Sequence, residues 1–169
     1  MTMRELAAAL LFAAWQSATG FATSLEEAFA SDTLIIEASA HACYRFDVYL
    51  AFERSQQARG LMYVRELPER TGMLFVYPAN DYHSMWMKNT FIPLDIAFAR
   101  EDGRIASIAR NTEPQSLQSI ASPEPVTYVL ELNAGVTARL GIEAGSRILW
   151  GPILIGLQGA ADSGKEDRL

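Results

Sequence analysis

His83-Ser84-Met85-Trp86-Met87-Lys88-Asn89-Thr90-Phe91-Ile92-Pro93-Leu94-Asp95-Ile96-Ala97-Phe98 joins two apolar, strand-like runs through a polar joint, Lys88-Asn89-Thr90, and a proline. Successive side chains of a strand face opposite ways. His83, Met85 and Met87 are therefore expected on one face, and Ser84, Trp86 and Lys88 on the other. Two strands split by a bend is the reading that the neighbouring sequence has to fit.

It does fit, working outward. Ile92 to Arg100 runs into Glu101-Asp102-Gly103-Arg104, whose Asp-Gly pair signals a hairpin, so Arg104 to Arg110 returns antiparallel. Upstream, Tyr44, Phe46, Val48, Leu50 and Phe52 alternate with Arg45, Asp47, Tyr49 and Ala51, the pattern of a half-buried strand. Thr33 to Glu37 is close enough to pair with it across Ser39 to Ala42. Gly72 opens a strand, Met73 to Tyr77, that Pro78-Ala79-Asn80-Asp81 should break. Val126, Tyr128, Leu130 and Leu132 form another alternating strand with Glu131 on its opposite face, and Arg147 to Trp150 forms the last. Ser55 is placed to cap a helix that ends near Gly60, and Val136 to Leu140 makes a second, stopped by Gly141. Asn111 to Pro125 is a loop long enough to cover something. The fold class is mainly β (α+β): a single compact domain with a strongly bent, mostly antiparallel sheet or partly closed barrel and two short helices.

The chain has 169 residues, half of them hydrophobic, enough for one core. A net charge of -6 argues against nucleic acid as a partner and against electrostatic attachment to anionic lipid. Residues 1–30 read as an export signal: Arg4 supplies the positive start and Leu6 to Trp15 an apolar run too short to span a bilayer. Cleavage is expected near 20, 24 or 30, leaving a β-rich domain over 31–152, a flexible tail over 153–169 and no stable membrane span. The location implied is periplasmic or secreted. Cys43 cannot form an intrachain disulfide, and beside His41 it lacks the third partner of a metal or nucleophilic site. It reads as a half-buried strand-end cysteine.

Arg59-Gly60-Leu61-Met62, Gly72-Met73-Leu74-Phe75, Met87-Lys88-Asn89-Thr90 with Ile92-Pro93-Leu94-Asp95, and Tyr128-Val129-Leu130-Glu131 occur together in this order. The combination resembles the uncharacterised bacterial and archaeal domain-of-unknown-function family one hundred and ninety-two, over about Leu34 to Leu149. The resemblance implies a compact β-rich domain, usually behind an export signal, with no established activity. It makes the central stretch look like the family's signature, while His83, Met85 and Cys43 lie outside it.

Three chemistries remain open. Arg59, Lys88, Asp95 and Glu131 carry two charges of each sign and are expected to meet at the bend. There they either hold it as a satisfied network or, with Met62, Trp86, Asn89 and Thr90, line a cleft for an anionic or sugar-like ligand. His83, Met85 and Met87, as an imidazole and two thioethers on one face, suit Cu(I); otherwise no cofactor is expected. Asp95 and Glu131 together would allow a carboxylate-dependent hydrolase, although no nucleophile elbow, zinc helix or phosphate loop is present, which argues against an enzyme. A binding or interaction module whose ligand, small molecule or protein, is unidentified is the reading taken forward.

Overall fold

In chain order the elements are α1 (Leu25–Ala28), β1 (Ala30–Ser39), β2 (Ala42–Ala51), α2 (Arg54–Arg59), β3 (Thr71–Asp81), β4 (Ser84–Met85), β5 (Leu94–Ala99), β6 (Ile105–Ala109), β7 (Ile120–Ala121), β8 (Val126–Asn133), α3 (Val136–Arg139) and β9 (Arg147–Leu149). They come from a computed structural model that describes residues 24–153. The expected export signal up to residue 23, and the tail beyond 153, lie outside the described residues.

The β1–β2 hairpin forms where the alternation put it, with Leu34 opposite Phe46 and Glu37 opposite Cys43. A seven-stranded sheet then runs in the order β6-β5-β8-β3-β2-β1-β9. All its pairings are antiparallel except β2 with β3. The sheet curls until its two edge strands touch at one end. Arg104 bridges Arg147, the Ile148 amide donates to Gly103 O at 2.8 Å, and the Ile105 amide donates to Ser146 O at 2.8 Å. Gly103 makes this seam possible: its φ is 80°, and a Cβ there would lie 2.2 Å from Ile148 O.

Curling buries both faces of the central strands, so every residue of β5 is buried. The inner face draws on all seven strands, with Leu34, Phe46, Leu74, Ala97, Ile105, Leu130 and Ile148 packed together. The outer face carries Met73, Phe75, Ile96, Phe98 and Val129, and it is covered by Phe29, Leu61, Met85 and Met87. Burying one such aromatic or aliphatic side chain contributes about 1.5–3 kcal/mol, so neither layer is dispensable. A signal cut after Ala30 would take Phe29 out of the outer layer.

Several local expectations change. The first arm of the central stretch shrinks to β4, which pairs only with β7 in a separate ribbon, because the 111–125 loop folds back over it. Pro78 to Asp81 does not end β3; it shifts the β3–β8 register between Val76 and Asp81. α2 starts at Arg54, not after Ser55, since Gln56 Oε1 accepts the Phe52 and Glu53 amides. α1 is a helix beyond the two expected, closed by a Ser24/Glu27 capping box, and 151–153 are also helical. Cys43 is exposed, not half-buried, because Glu37 opposite it leaves that face of the hairpin open to water.

Candidate functional site

The bend of the central stretch is held by two left-handed residues facing one another. Asn89 has φ 56° and Tyr63 φ 67°. The Tyr63 amide donates to Asn89 O at 2.8 Å, and Asn89 Nδ2 donates to the Tyr63 hydroxyl at 3.0 Å. Asparagine tolerates this backbone region because its short amide finds local partners; tyrosine tolerates it at a cost of about 1 kcal/mol or more. Thr90 is buried within the bend. Its amide donates to Met87 O, and its carbonyl accepts the Gln115 amide. Met62 belongs to this side, its sulfur 3.8 Å from Asn89 Nδ2, so it does not floor a cleft beneath Trp86.

The expected meeting of four charges does not occur. Ile96 stands opposite Glu131 across β5 and β8. Asp95, one residue earlier, therefore faces the other side of the sheet. There its carboxylate is fully occupied: Oδ1 accepts the Asn111 amide at 3.0 Å, and Oδ2 accepts the Thr137 amide at 3.0 Å and hydroxyl at 2.7 Å. The Thr137 hydroxyl accepts in turn from Arg110 Nε at 3.1 Å. Asp95 thus pins the start of α3 to the sheet. Lys88 lies over the Trp86 ring at 5.1 Å, and the Arg59 guanidinium lies 5.4 Å from the Phe29 ring. Ion pairs form at Arg45–Asp47, Arg100–Glu124 and Arg139–Glu69, away from Lys88, Asp95 and Glu131. With Asp95 and Glu131 on opposite faces, no reacting glycoside could sit between their carboxyl groups.

Glu131 is the exceptional member. It is 4% exposed among the outer-layer residues, directly beside Met73 and Ile96. Burial pushes its carboxyl up to about 8. Nearby, burial and then the Glu131 charge push the Tyr77 phenol up to about 12. The Tyr77 hydroxyl donates to the Met85 sulfur at 3.7 Å, and its ring stacks on His83 with centroids 3.6 Å apart. Met87 is engaged elsewhere, its sulfur 3.2 Å from the Thr112 hydroxyl. The imidazole and the two thioethers of the copper reading therefore have three separate partners: the Tyr77 ring, the Tyr77 hydroxyl and Thr112. His83 Nε2 is buried without a hydrogen-bond partner among the described residues.

Burial does follow the alternation read from sequence. Met85 and Met87 are buried, whereas Ser84, Trp86 and Lys88 are exposed. The exposed side opens a small cleft of about 210 Å³ lined by Ser84, Met85, Trp86, Leu117 and Ser119. Trp86 is 49% and Leu117 70% exposed, and the Ser84 and Ser119 hydroxyls are 2.7 Å apart at its edge. Sequence reasoning found Trp86 but missed Leu117, Ser119 and Ser84. The 111–125 loop carried only the signal that it covers something, and β7 is what brings it to this place.

The model of a family described as "Uncharacterized ACR", DUF192, matches residues 35–150. Two crystal structures are similar along most of their length. One, from Sinorhizobium meliloti and provisionally named a transcription regulator, is 41% identical. The match covers 72% of this chain and 94% of that one, with a TM-score of 0.70. The other, a protein of unknown function from Novosphingobium aromaticivorans, is 36% identical over 71% of this chain and 85% of that one, with a TM-score of 0.69. No curated protein matches.

Proposed function

The chain belongs to the DUF192 family, and we propose that it works as an exported binding module whose ligand lies against Trp86. The observation that carries this reading is the cleft itself: a half-exposed indole and Leu117 flank a buried methionine, with two hydroxyls and one ammonium at the rim. Tryptophan is costly to leave half in water, and it gives a flat apolar platform with a polar edge. A volume near 210 Å³ is below that of drug-sized pockets and suits one ring-sized unit. A sugar ring fits this chemistry, since its C–H face stacks on the indole and its hydroxyls meet Ser84 and Ser119.

The transcription-regulator name of one similar structure is not extended to this chain, because a net charge of -6 opposes phosphate binding. No helix among the described residues is long and apolar enough to cross a membrane. Export is supported by the arginine-led apolar run at the amino terminus.

The test is a titration of the purified chain with neutral oligosaccharides, read by tryptophan fluorescence. The chain's other tryptophans are Trp15 and the buried Trp150, so a signal from the cleft is one that disappears in Trp86→Phe. Saturable binding that is lost in Trp86→Ala with unchanged circular dichroism is expected. Binding that survives Trp86→Ala and Leu117→Ala would remove the cleft from consideration.

A further inference from the structure

Resting on that cleft, we propose that its ligand is an acidic saccharide, bound along a track from Trp86 to Phe91. Two cation–aromatic pairs flank the Asn89 bend. Lys88 stands 5.1 Å from the Trp86 ring, and Arg65 stands 4.9 Å from the Phe91 ring, against which Tyr63 packs edge-on at 6.1 Å. The Asn89–Tyr63 hydrogen bonds, at 3.0 and 2.8 Å through side chain and backbone, fix the two pairs to one bend.

Both cations are exposed, and neither has a carboxylate partner among the described residues. That is notable in a chain with 20 acidic and 14 basic residues, where carboxylates are in excess. Of the other arginines, Arg45, Arg100 and Arg139 pair with carboxylates, and Arg110, Arg104 and Arg147 donate to backbone carbonyls, while Arg70 stands apart over the Tyr44 and Phe46 rings. Positive charge beside the exposed Trp86 and Tyr63 rings and the half-buried Phe91 ring, with hydroxyls adjacent, matches a ligand that combines apolar ring faces with carboxylates. An acidic peptide would match the charge but would want a free strand edge to lie along. The backbone here is taken: His83 O accepts the Ser122 amide, the His83 amide donates to the Ser122 hydroxyl, and the Met87 amide donates to Ser116 O.

The experiment is calorimetric titration of the purified chain with tetragalacturonate, cellotetraose and hexaglutamate. Tetragalacturonate should bind best and weaken with added salt. The double variant Lys88→Met/Arg65→Gln should bind it about tenfold or more weakly while leaving cellotetraose unchanged. Both side chains are exposed, so circular dichroism and melting should stay as in the wild type. Tetragalacturonate binding no better than cellotetraose overturns the inference while leaving the Trp86 cleft standing. Equal binding of hexaglutamate, or no effect of the double variant, overturns it too. Failure of both saccharides to bind through Trp86 defeats the cleft and the inference together.

Discussion

Replacing Glu131 by glutamine should make the protein more stable at neutral pH, against the usual expectation for a buried polar change. Among the described residues the carboxyl has no hydrogen-bond donor or ion pair; it is 4% exposed, and burial raises it from 4.5 to about 8. In the unfolded chain it ionises near 4.5, so between the two values the unfolded state holds fewer protons. Stability therefore falls as pH rises through that window, by about 1.4 kcal/mol per pH unit, and is flat below and above it. The loss is about 3 kcal/mol at pH 7 and about 5 kcal/mol once pH exceeds 8. Glutamine cannot ionise and keeps the shape, so its curve lacks this slope. The assay is urea denaturation of wild type and Glu131→Gln from pH 4.5 to 8.5, taking the difference so that the other titrating groups cancel. Near pH 4.5 the two should agree to about 1 kcal/mol, with the variant gaining thereafter. Parallel curves, or a variant that loses ground as pH rises, would mean that Glu131 is held ionised by a cation, and the reasoning would be refuted. The Tyr77 phenol gives an independent reading: without the Glu131 charge, its ultraviolet titration should move down from about 12.

Asp95→Ala strips the acceptor from two amides and a hydroxyl, and should cost about 3 kcal/mol or more in urea denaturation; a loss below about 1 kcal/mol would discredit Asp95 as the tie to α3. Gly103→Ala meets Ile148 O at 2.2 Å with φ 80°, so the seam should loosen and the melting temperature drop by several degrees; wild-type melting would show that the edges need not touch there. Lys88→Ala should change stability by less than about 1 kcal/mol, since its side chain meets only an exposed ring; a large loss would restore the charge network.

The sheet was legible because period-two patterning survives wherever one face is wet. β2 and β8 lie where their alternating residues put them, while β1, expected over Thr33 to Glu37, extends over Ala30–Ser39. The central stretch was legible in part, since its burial alternates as a strand does although only Ser84–Met85 is paired. What fell short was the reading of residues on strands buried on both sides. Along β5 every position is buried, so the sequence carries no mark of which face Asp95 takes, and it can be drawn toward Lys88 by charge alone. Register decides it instead. Ile96 opposite Glu131 sends Asp95 to the Thr137 side, and no local pattern encodes that pairing. The same limit explains the cleft. Trp86 announced itself by type, but Leu117 and Ser119 reach it only because the 111–125 loop returns as β7, a contact between segments more than thirty residues apart. A site assembled by tertiary return is invisible to spacing. Residues whose chemistry is conspicuous in the sequence can then be spent on architecture, as Asp95 is, while the residues that face solvent together look ordinary until the fold collects them.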